Sequence, residues 1–172
     1  MDGRASQYCA HVCAQGERTN RSEVIGSLTV ATESLLKAFM VRNRMQWPRK
    51  IVVYRDGVSD GQFQEILNKE LPAIKDGMAL VGCPDIKICI VVCQKRHNTR
   101  VVFEESEDGG TKYVNPCPGL VIDNAGGGSS ITHAKYNEFY LTSHIAIQGT
   151  SKPTKYTLIY DEIGLKVGFV LY

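Results

Sequence analysis

Apolar and polar residues alternate weakly over residues 8–15, which predicts a short strand. From Ser22 onward the apolar residues instead recur every three or four positions, and one helical face would carry Val24, Leu28, Ala31, Leu35 and Phe39. Ser22 is a suitable N-cap for this helix, and Pro48 is a suitable stop. The first quarter of the chain therefore predicts a strand followed by a helix.

Two continuous apolar runs, residues 51–54 and 86–93, predict strands that are buried on both faces. Between them, Ser59 and Gln62 have the spacing of a capping box at the start of a second helix. The buried stripe of that helix would contain Phe63, Ile66 and Leu67, and Pro72 should end or kink it. This alternation of strands and helices predicts an α/β sheet.

The second half of the chain predicts short strands joined by irregular segments. The expected strands are residues 101–103, 136–147 and 156–160. Acidic residues, prolines and glycines predict loops at 104–112, 115–119 and 124–130. The last of these contains three consecutive glycines, but no lysine follows them, so a phosphate-binding loop is disfavoured.

Length and composition fit one globular domain with a hydrophobic core. The chain has 172 residues, of which 43% are apolar and 22% charged, and this excludes a disordered chain. The net charge of +2 does not by itself indicate nucleic-acid binding. No secretory signal opens the chain, and no apolar run reaches the roughly 20 residues of a membrane span.

The six cysteines are predicted to be reduced, intracellular thiols, several of them inside apolar runs. Cys89, Cys93 and His97 have a loose metal-ligand spacing. Packing of the two cysteines within a strand is the favoured interpretation.

Charged residues follow both apolar runs directly. Asp56 lies just after the first run, where a carboxylate can hold a metal or a proton, or can instead cap the turn at Gly57. The densest basic cluster comes just after the second run and consists of Lys95, Arg96, His97 and Arg100. Such a cluster is usually a solvated loop, but α/β folds often place ligand-contacting residues at strand ends.

Three blocks of sequence resemble one known family. They are YRDGVSDGQF at residues 54–63, QKRHNTR at 94–100, and FYLTSH with IQGTSKP within 139–153. Their wording and order are similar to the PIWI domain of Argonaute proteins, and closer to the Argonaute branch than to the Piwi branch. The resemblance covers roughly residues 8–160. It implies a partial ribonuclease H-like α/β fold, with a mixed sheet and flanking helices, that lacks the first strands and the C-terminal part.

Active members of this family cut RNA with carboxylates and a histidine around two divalent metal ions, usually Mg²⁺. By resemblance, Asp56 matches one catalytic aspartate and Glu23 matches a mobile glutamate, although Glu23 also suits the first turn of a helix. The other ligands would lie outside this chain. We therefore expect an incomplete catalytic set, Asp56 as the one candidate metal ligand, no stably bound Mg²⁺, and no guided cleavage by this chain alone.

The chain is predicted to be a single PIWI domain, residues 1–172, truncated at both ends and with a divergent tail at 160–172. The missing strands would leave unpaired strand edges, which either re-pair or cause self-association. Whether such a truncation is a natural isoform or an engineered fragment is left open by the sequence.

The resemblance also implies partners. RNA-binding residues would be Lys95, Arg96, His97, Arg100, His133, Gln148, Gly149, Thr150, Ser151 and Lys152. Small guide RNA and target RNA are the expected ligands, and no membrane is expected. Phe39 would lie near a surface that binds tryptophan-rich silencing proteins, although a core role is favoured. His11 and His144 lie in apolar surroundings and are interpreted as core or structural residues.

The expected function is small-RNA-guided gene silencing, through RNA binding by a catalytically incomplete PIWI fragment. One alternative is a guide-directed RNA endonuclease, in the complete parent protein. The other is a regulatory isoform that binds proteins and not RNA. The expected location is the cytoplasm, with the nucleus as the alternative.

Overall fold

The computed structural model describes residues 8–14, 24–107, 109–123, 132 and 136–165. Two compact units divide these residues: Val58–Cys89 with the described residues up to Val53, and Tyr54–Gly57 with those from Ile90 onward. Residues 8–14 form neither helix nor strand, so the strand predicted there is wrong. Tyr8 and Val12 are 82% and 91% exposed, and their alternation therefore has no buried face behind it.

Helix α1, Leu28–Arg42, begins later than predicted. Ser22 lies outside the described residues, and Ser27 occupies the N-cap position. The segment before the helix is held differently, since the Ile25 amide donates to Oε1 of the buried Glu70 at 2.9 Å. The helix ends well before Pro48, because Arg44 and Met45 adopt left-handed backbone angles with φ of 55° and 64°.

A continuous helical stretch runs from Asp60 to Leu80. It comprises a 3₁₀ turn (Asp60–Gln62), α2 (Phe63–Glu65), a π-helical segment (Ile66–Glu70) and α3 (Leu71–Leu80). At its start, Oε1 of Gln62 accepts from the amide and the hydroxyl of Ser59 at 3.3 and 3.1 Å, which confirms the predicted capping pair.

Pro72 does not end this helical stretch, contrary to the prediction. It lies in the first turn of α3, directly after the π-helical segment. A proline is tolerated in the first turn of a helix, and a π-helical segment changes the hydrogen-bonding register just before it. The helix therefore continues to Leu80, and Phe63 and Ile66 are buried as expected, whereas Leu67 is only half-buried.

Helices α1 and α3 approach each other closely at Gly77. A Cβ atom at Gly77 would lie 2.6 Å from the backbone oxygen of Thr29 and 2.7 Å from Cβ of Thr32. Only glycine fits at this distance. Among the described residues, no helix is long and apolar enough to cross a membrane.

In the part of the chain that the structure describes, seven strands form two sheets. They are β1 (Lys50–Asp56), β2 (Lys87–Gln94), β3 (Phe103–Glu107), β4 (Gly110–Val114), β5 (Val121–Asp123), β6 (Asn137–Leu141) and β7 (Thr154–Asp161). The five-stranded sheet is mixed and has the order β1-β2-β7-β6-β5, with β6 antiparallel to both β5 and β7. This sheet and the helices confirm the predicted α/β class.

The two apolar runs behave differently. Strand β2 is buried on both faces from Ile88 to Val92, as predicted. Strand β1 instead alternates between exposed and half-buried residues, so the prediction of a doubly buried strand is wrong there. Its position at one end of the sheet order explains the difference, because a terminal strand has fewer neighbours to cover it.

Strands β3 and β4 form an antiparallel hairpin where a loop was predicted. The register pairs Phe103 with Val114 and Glu107 with Gly110. Gly109, which has φ of 85°, directly precedes the second strand, and Asp-Gly in the sequence is typical of two-residue hairpin turns. The acidic strand has no apolar face, so periodicity could not reveal it.

Strands β6 and β7 of the second unit are joined by a buried ion pair that was not predicted. Glu138 lies opposite Thr157, and Tyr140 lies opposite Lys155. Nζ of Lys155 is 2.9 Å from Oε1 of Glu138, which also accepts from the Thr157 hydroxyl at 3.2 Å. On the opposite face, Phe139 stacks on Tyr156 with ring centroids 4.8 Å apart. A slip of one residue would exchange the two faces, so these contacts fix the register.

Candidate nucleic-acid interface

Strands β1 and β2 are neighbours in the sheet. A salt bridge joins Asp56, the last residue of β1, to Lys95, the residue after β2. Nζ of Lys95 donates to Oδ2 of Asp56 at 3.0 Å, and the amide of Gly57 donates to Oδ1 at 2.9 Å. The side chains of Lys95 and Asp56 are 67% and 61% exposed. Gly57 has φ of 81°, which a glycine adopts without strain, and the chain turns away there.

This salt bridge shifts the pKa values of both groups that form it. The hydrogen bond from Lys95 lowers the pKa of Asp56, and the same contact raises the pKa of Lys95. Burial, together with the charge of Asp56, raises the pKa of Cys93 to about 11. Cys93 is therefore a protonated thiol at neutral pH. Cys89 and Cys93 both lie in β2, as the packing interpretation predicted.

His97 connects two segments that are far apart in sequence. Its Nε2 atom lies 2.8 Å from the backbone oxygen of Pro153. A carbonyl oxygen only accepts, so Nε2 donates its proton to this hydrogen bond. Nδ1 is buried and has no hydrogen-bond partner, while the ring meets Tyr140 edge-on at 5.4 Å. Both ring nitrogens thus face the protein, and His97 holds the 94–100 segment against the end of the 148–153 segment.

Asn115 holds the second segment from the other side. Its Nδ2 donates to the backbone oxygen of Gly149 at 2.9 Å, and its Oδ1 accepts from the amide of Ser151 at 2.9 Å. Gly149 has φ of 73° at this bend. Ser151 is buried, whereas the side chains that point outward on this segment are those of Gln148, Thr150 and Lys152. Sequence reasoning missed Asn115, which carries no local signal beyond its position before a proline.

Four exposed cations lie on these two segments: Lys95, Arg96, Arg100 and Lys152. We call them the cationic surface. The Arg100 guanidinium donates to the backbone oxygens of His97 and Thr99 at 2.9 and 2.8 Å, which anchors it to its own segment. These exposed positive side chains lie on backbone segments that hydrogen bonds hold in place, and such side chains can contact phosphates.

Comparison with known proteins identifies the family. The model of the Piwi domain matches residues 1–168. The chain belongs to the Piwi domain family. It is 45% identical over 124 residues to Protein argonaute-2 of Drosophila melanogaster, covering 72% of this chain and 10% of that protein. It is 34% identical over 156 residues to Protein argonaute of Schizosaccharomyces pombe, covering 90% of this chain and 18% of that protein.

Solved structures share the fold of this Piwi domain chain. The C-terminal lobe of a budding yeast Argonaute matches with a TM-score of 0.73 at 26% identity, over 87% of this chain and 31% of that one. Kluyveromyces polysporus Argonaute with a guide RNA has the same TM-score and identity, over 87% of this chain and 19% of that one. Drosophila Piwi has a TM-score of 0.59 at 26% identity, over 80% of this chain and 18% of that one. The chain spans less than a third of each of these relatives, and the resemblance to Argonaute is confirmed.

The residues of this Piwi domain chain that could hold a metal do not form a metal centre in the part that the structure describes. No group of three or more His, Cys, Asp or Glu side chains comes together there. Asp56, the candidate ligand, has an ammonium group against it where a two-metal site needs further carboxylates. Glu23 and His133 lie outside the described residues. His144 is exposed, so its interpretation as a core residue is wrong, and His11 is half-buried in the segment without regular structure.

Proposed function

We propose that this Piwi domain chain binds the phosphates of single-stranded RNA through the cationic surface, as part of a small-RNA-guided silencing protein. The observation that carries the proposal is the contact between His97 and Pro153, which joins the two segments on which the exposed cations lie. One of the matching structures is an Argonaute with a guide RNA, which supports RNA as the ligand.

Three of the cations contribute in two ways in this proposal. Arg100 is already oriented by two backbone oxygens, so it loses little side-chain freedom when it meets a phosphate. Arg96 and Lys152 are exposed and supply charge from the two joined segments. Such contacts hold the RNA backbone without reading its sequence, and base pairing with a guide reads the target.

His97, Gly149 and Ser151 support the RNA-binding surface from beneath in this proposal. Both nitrogens of His97 face the protein, and the Ser151 side chain is buried. Gly149 supplies the bend and a backbone oxygen to Asn115. These residues therefore order the surface, while Gln148 and Thr150 are exposed and able to hydrogen-bond to RNA.

We infer that this chain does not cut RNA by itself. Cleavage by two metals needs several carboxylates around one phosphate, and in the described residues Asp56 is paired with Lys95 instead. Incubation with guide, labelled target and Mg²⁺ should give no cut product. A guide-dependent cut that disappears in Asp56→Ala would contradict this inference.

The RNA proposal is tested by binding of a labelled, short single-stranded RNA at increasing salt. In the variant with Lys95, Arg96 and Arg100 all replaced by alanine, affinity should fall at least about tenfold. The slope of log affinity against log salt should also become shallower by about 2, because each phosphate contact on a single strand contributes roughly 0.7.

A matched control removes three exposed lysines from the helices, Lys37, Lys69 and Lys75, also to alanine. It loses the same charge, and its RNA affinity should stay within about twofold of the original chain, because only the cationic surface binds phosphate directly. Equal losses in both triple variants would mean that net charge alone attracts RNA, and no loss in the first variant would refute the proposal.

The proposal also includes contacts with other protein chains. In the described part of the chain, β1 is the terminal strand of its sheet, so we propose that its edge pairs with another strand and causes self-association. Sedimentation that shows only monomers at high concentration would refute this.

We also propose contact between tryptophan-rich silencing proteins and the half-buried Phe39 on α1. Phe39→Ala should weaken capture by a tryptophan-rich peptide.

A further inference from the structure

Only one of the two ring nitrogens of His97 takes part in the contact that joins the two cation-bearing segments. Nε2 donates to the backbone oxygen of Pro153 at 2.8 Å, whereas Nδ1 is buried and has no hydrogen-bond partner among the described residues. Buried polar side-chain atoms are nearly always paired, so an orphaned one needs an explanation. Here the orphaned atom belongs to the side chain that gains a proton in mildly acidic solution.

A second proton on the His97 ring is costly while this contact is closed. Both nitrogens of an imidazolium are donors, and the described residues offer Nδ1 no acceptor in its enclosed position. An unsatisfied buried donor and an enclosed positive charge each cost free energy. Once the ring leaves this position, water can solvate both nitrogens. Protons therefore bind better to the open form, and acid favours opening of the contact.

The charges on the elements that contact the ring also disfavour a positive His97. Tyr140 of β6 meets the ring edge-on, and Lys155 of β7 lies opposite Tyr140. Two carboxylates are associated with these elements, Glu138 and Asp56, and each is already paired with a lysine. The charged side chains of the two joined segments are all cations: Lys95, Arg96, Arg100 and Lys152.

We propose that His97 is a pH-sensitive positioning residue for the cationic surface. In mildly acidic solution the ring takes a second proton from solvent, its hydrogen bond to Pro153 breaks, and the two segments lose their fixed arrangement. The consequence for RNA rests on the proposed function, whereas opening of the contact does not. The direction is diagnostic, because acid normally adds positive charge to a protein and strengthens its attraction for RNA.

Opening of the contact is tested without RNA, in the chain labelled with ¹³C and ¹⁵N. The carbonyl carbon of Pro153, detected through the amide of Thr154, reports on the hydrogen bond from His97. Between about pH 7.5 and about pH 5.5, where histidine titrates, its signal should move toward its position in His97→Leu, which lacks a donor. In His97→Gln, whose amide donates but gains no proton, the signal should stay in place. An unmoved signal in the original chain, or an equal shift in His97→Gln, would overturn the inference.

The effect on RNA is measured as the affinity for a short, labelled single-stranded RNA at the same two pH values and constant ionic strength. In acid the original chain should lose affinity by about two- to tenfold, the range expected for loss of one hydrogen bond. His97→Gln should keep its affinity or gain some. Asp56 does not disturb the comparison, because the hydrogen bond from Lys95 lowers its pKa and the carboxylate stays ionised at both pH values.

The matched control is His144→Gln. His144 is an exposed histidine elsewhere in the same unit, so its replacement removes another proton-binding ring and leaves the contact with Pro153 intact. This variant should show the same loss of affinity in acid as the original chain. An equal loss in His97→Gln, or an affinity of the original chain that rises in acid, would overturn the role of His97 in RNA binding. Failure of RNA to bind at the higher pH would refute the proposed function instead, and the Pro153 signal would still test the opening.

Discussion

Two lysine–carboxylate pairs in this Piwi domain chain have nearly equal length and opposite surroundings. Lys95 and Asp56 are 3.0 Å apart with side chains 67% and 61% exposed, and Lys155 and Glu138 are 2.9 Å apart with side chains 10% and 2% exposed. Water competes for the first pair and is excluded from the second. The exposed pair is therefore open to exchange, and under the proposed function an RNA phosphate would replace Asp56 as the partner of Lys95, whereas the buried pair is enclosed and fixes the register of β6 against β7.

The largest expected effect comes from breaking the buried pair. Glu138→Leu leaves the Lys155 ammonium buried without its countercharge and removes the acceptor of the Thr157 hydroxyl. The free energy of unfolding should fall by about 3–5 kcal/mol, measured by urea denaturation. Glu33→Leu, which breaks an exposed pair, should cost much less. Equal effects of the two substitutions would mean that burial does not distinguish the pairs.

Replacing the whole buried pair should have a smaller effect. The double variant Glu138→Leu with Lys155→Met removes both charges and fills the space with apolar groups. Its free energy of unfolding should return to within about 1–2 kcal/mol of the original chain, because the cost of burying two ions disappears together with their attraction. Urea denaturation of Glu138→Leu, Lys155→Met and the double variant completes the cycle. If the double variant is as unstable as Glu138→Leu alone, an uncompensated charge is not the cause.

The exposed pair should give the smallest effect, and one that depends on pH. The hydrogen bond from Lys95 lowers the pKa of Asp56 in the folded chain, so its contribution to stability is present above the unfolded pKa and is lost as pH falls through the folded pKa. The stability difference between the original chain and Asp56→Asn should be small at neutral pH and vanish well below pH ~4. In Lys95→Met, NMR titration should show the pKa of Asp56 rising toward its ordinary value. An unchanged pKa would remove Lys95 as the cause.

Sequence reasoning succeeded where the physical cause was local. The apolar run of β2 and the capping pair of Ser59 and Gln62 are set by neighbouring residues, and both were predicted. The charged residues after each apolar run were also identified, but the salt bridge between Asp56 and Lys95 was not predicted and follows from the two strands being neighbours in the sheet.

The rest depends on contacts between distant residues. Glu138 and Lys155 look like surface residues of a strand, and only the pairing of β6 with β7 buries them together. Asn115 acquires its role because residues 149–151 fold back onto it. The alternation of apolar and polar residues at 8–14 led to a wrong prediction of a strand, because such a pattern forms a strand only when one of its faces is covered.

The most direct test of the central claim is a map of backbone amide shifts in the ¹⁵N-labelled chain as short single-stranded RNA is added. We predict shifts concentrated in residues 95–100 and 148–152, the segments that His97 and Asn115 hold in place, with little change at Glu138 and Thr157. Shifts concentrated on α1 and α3, or spread evenly over every exposed lysine, would contradict it.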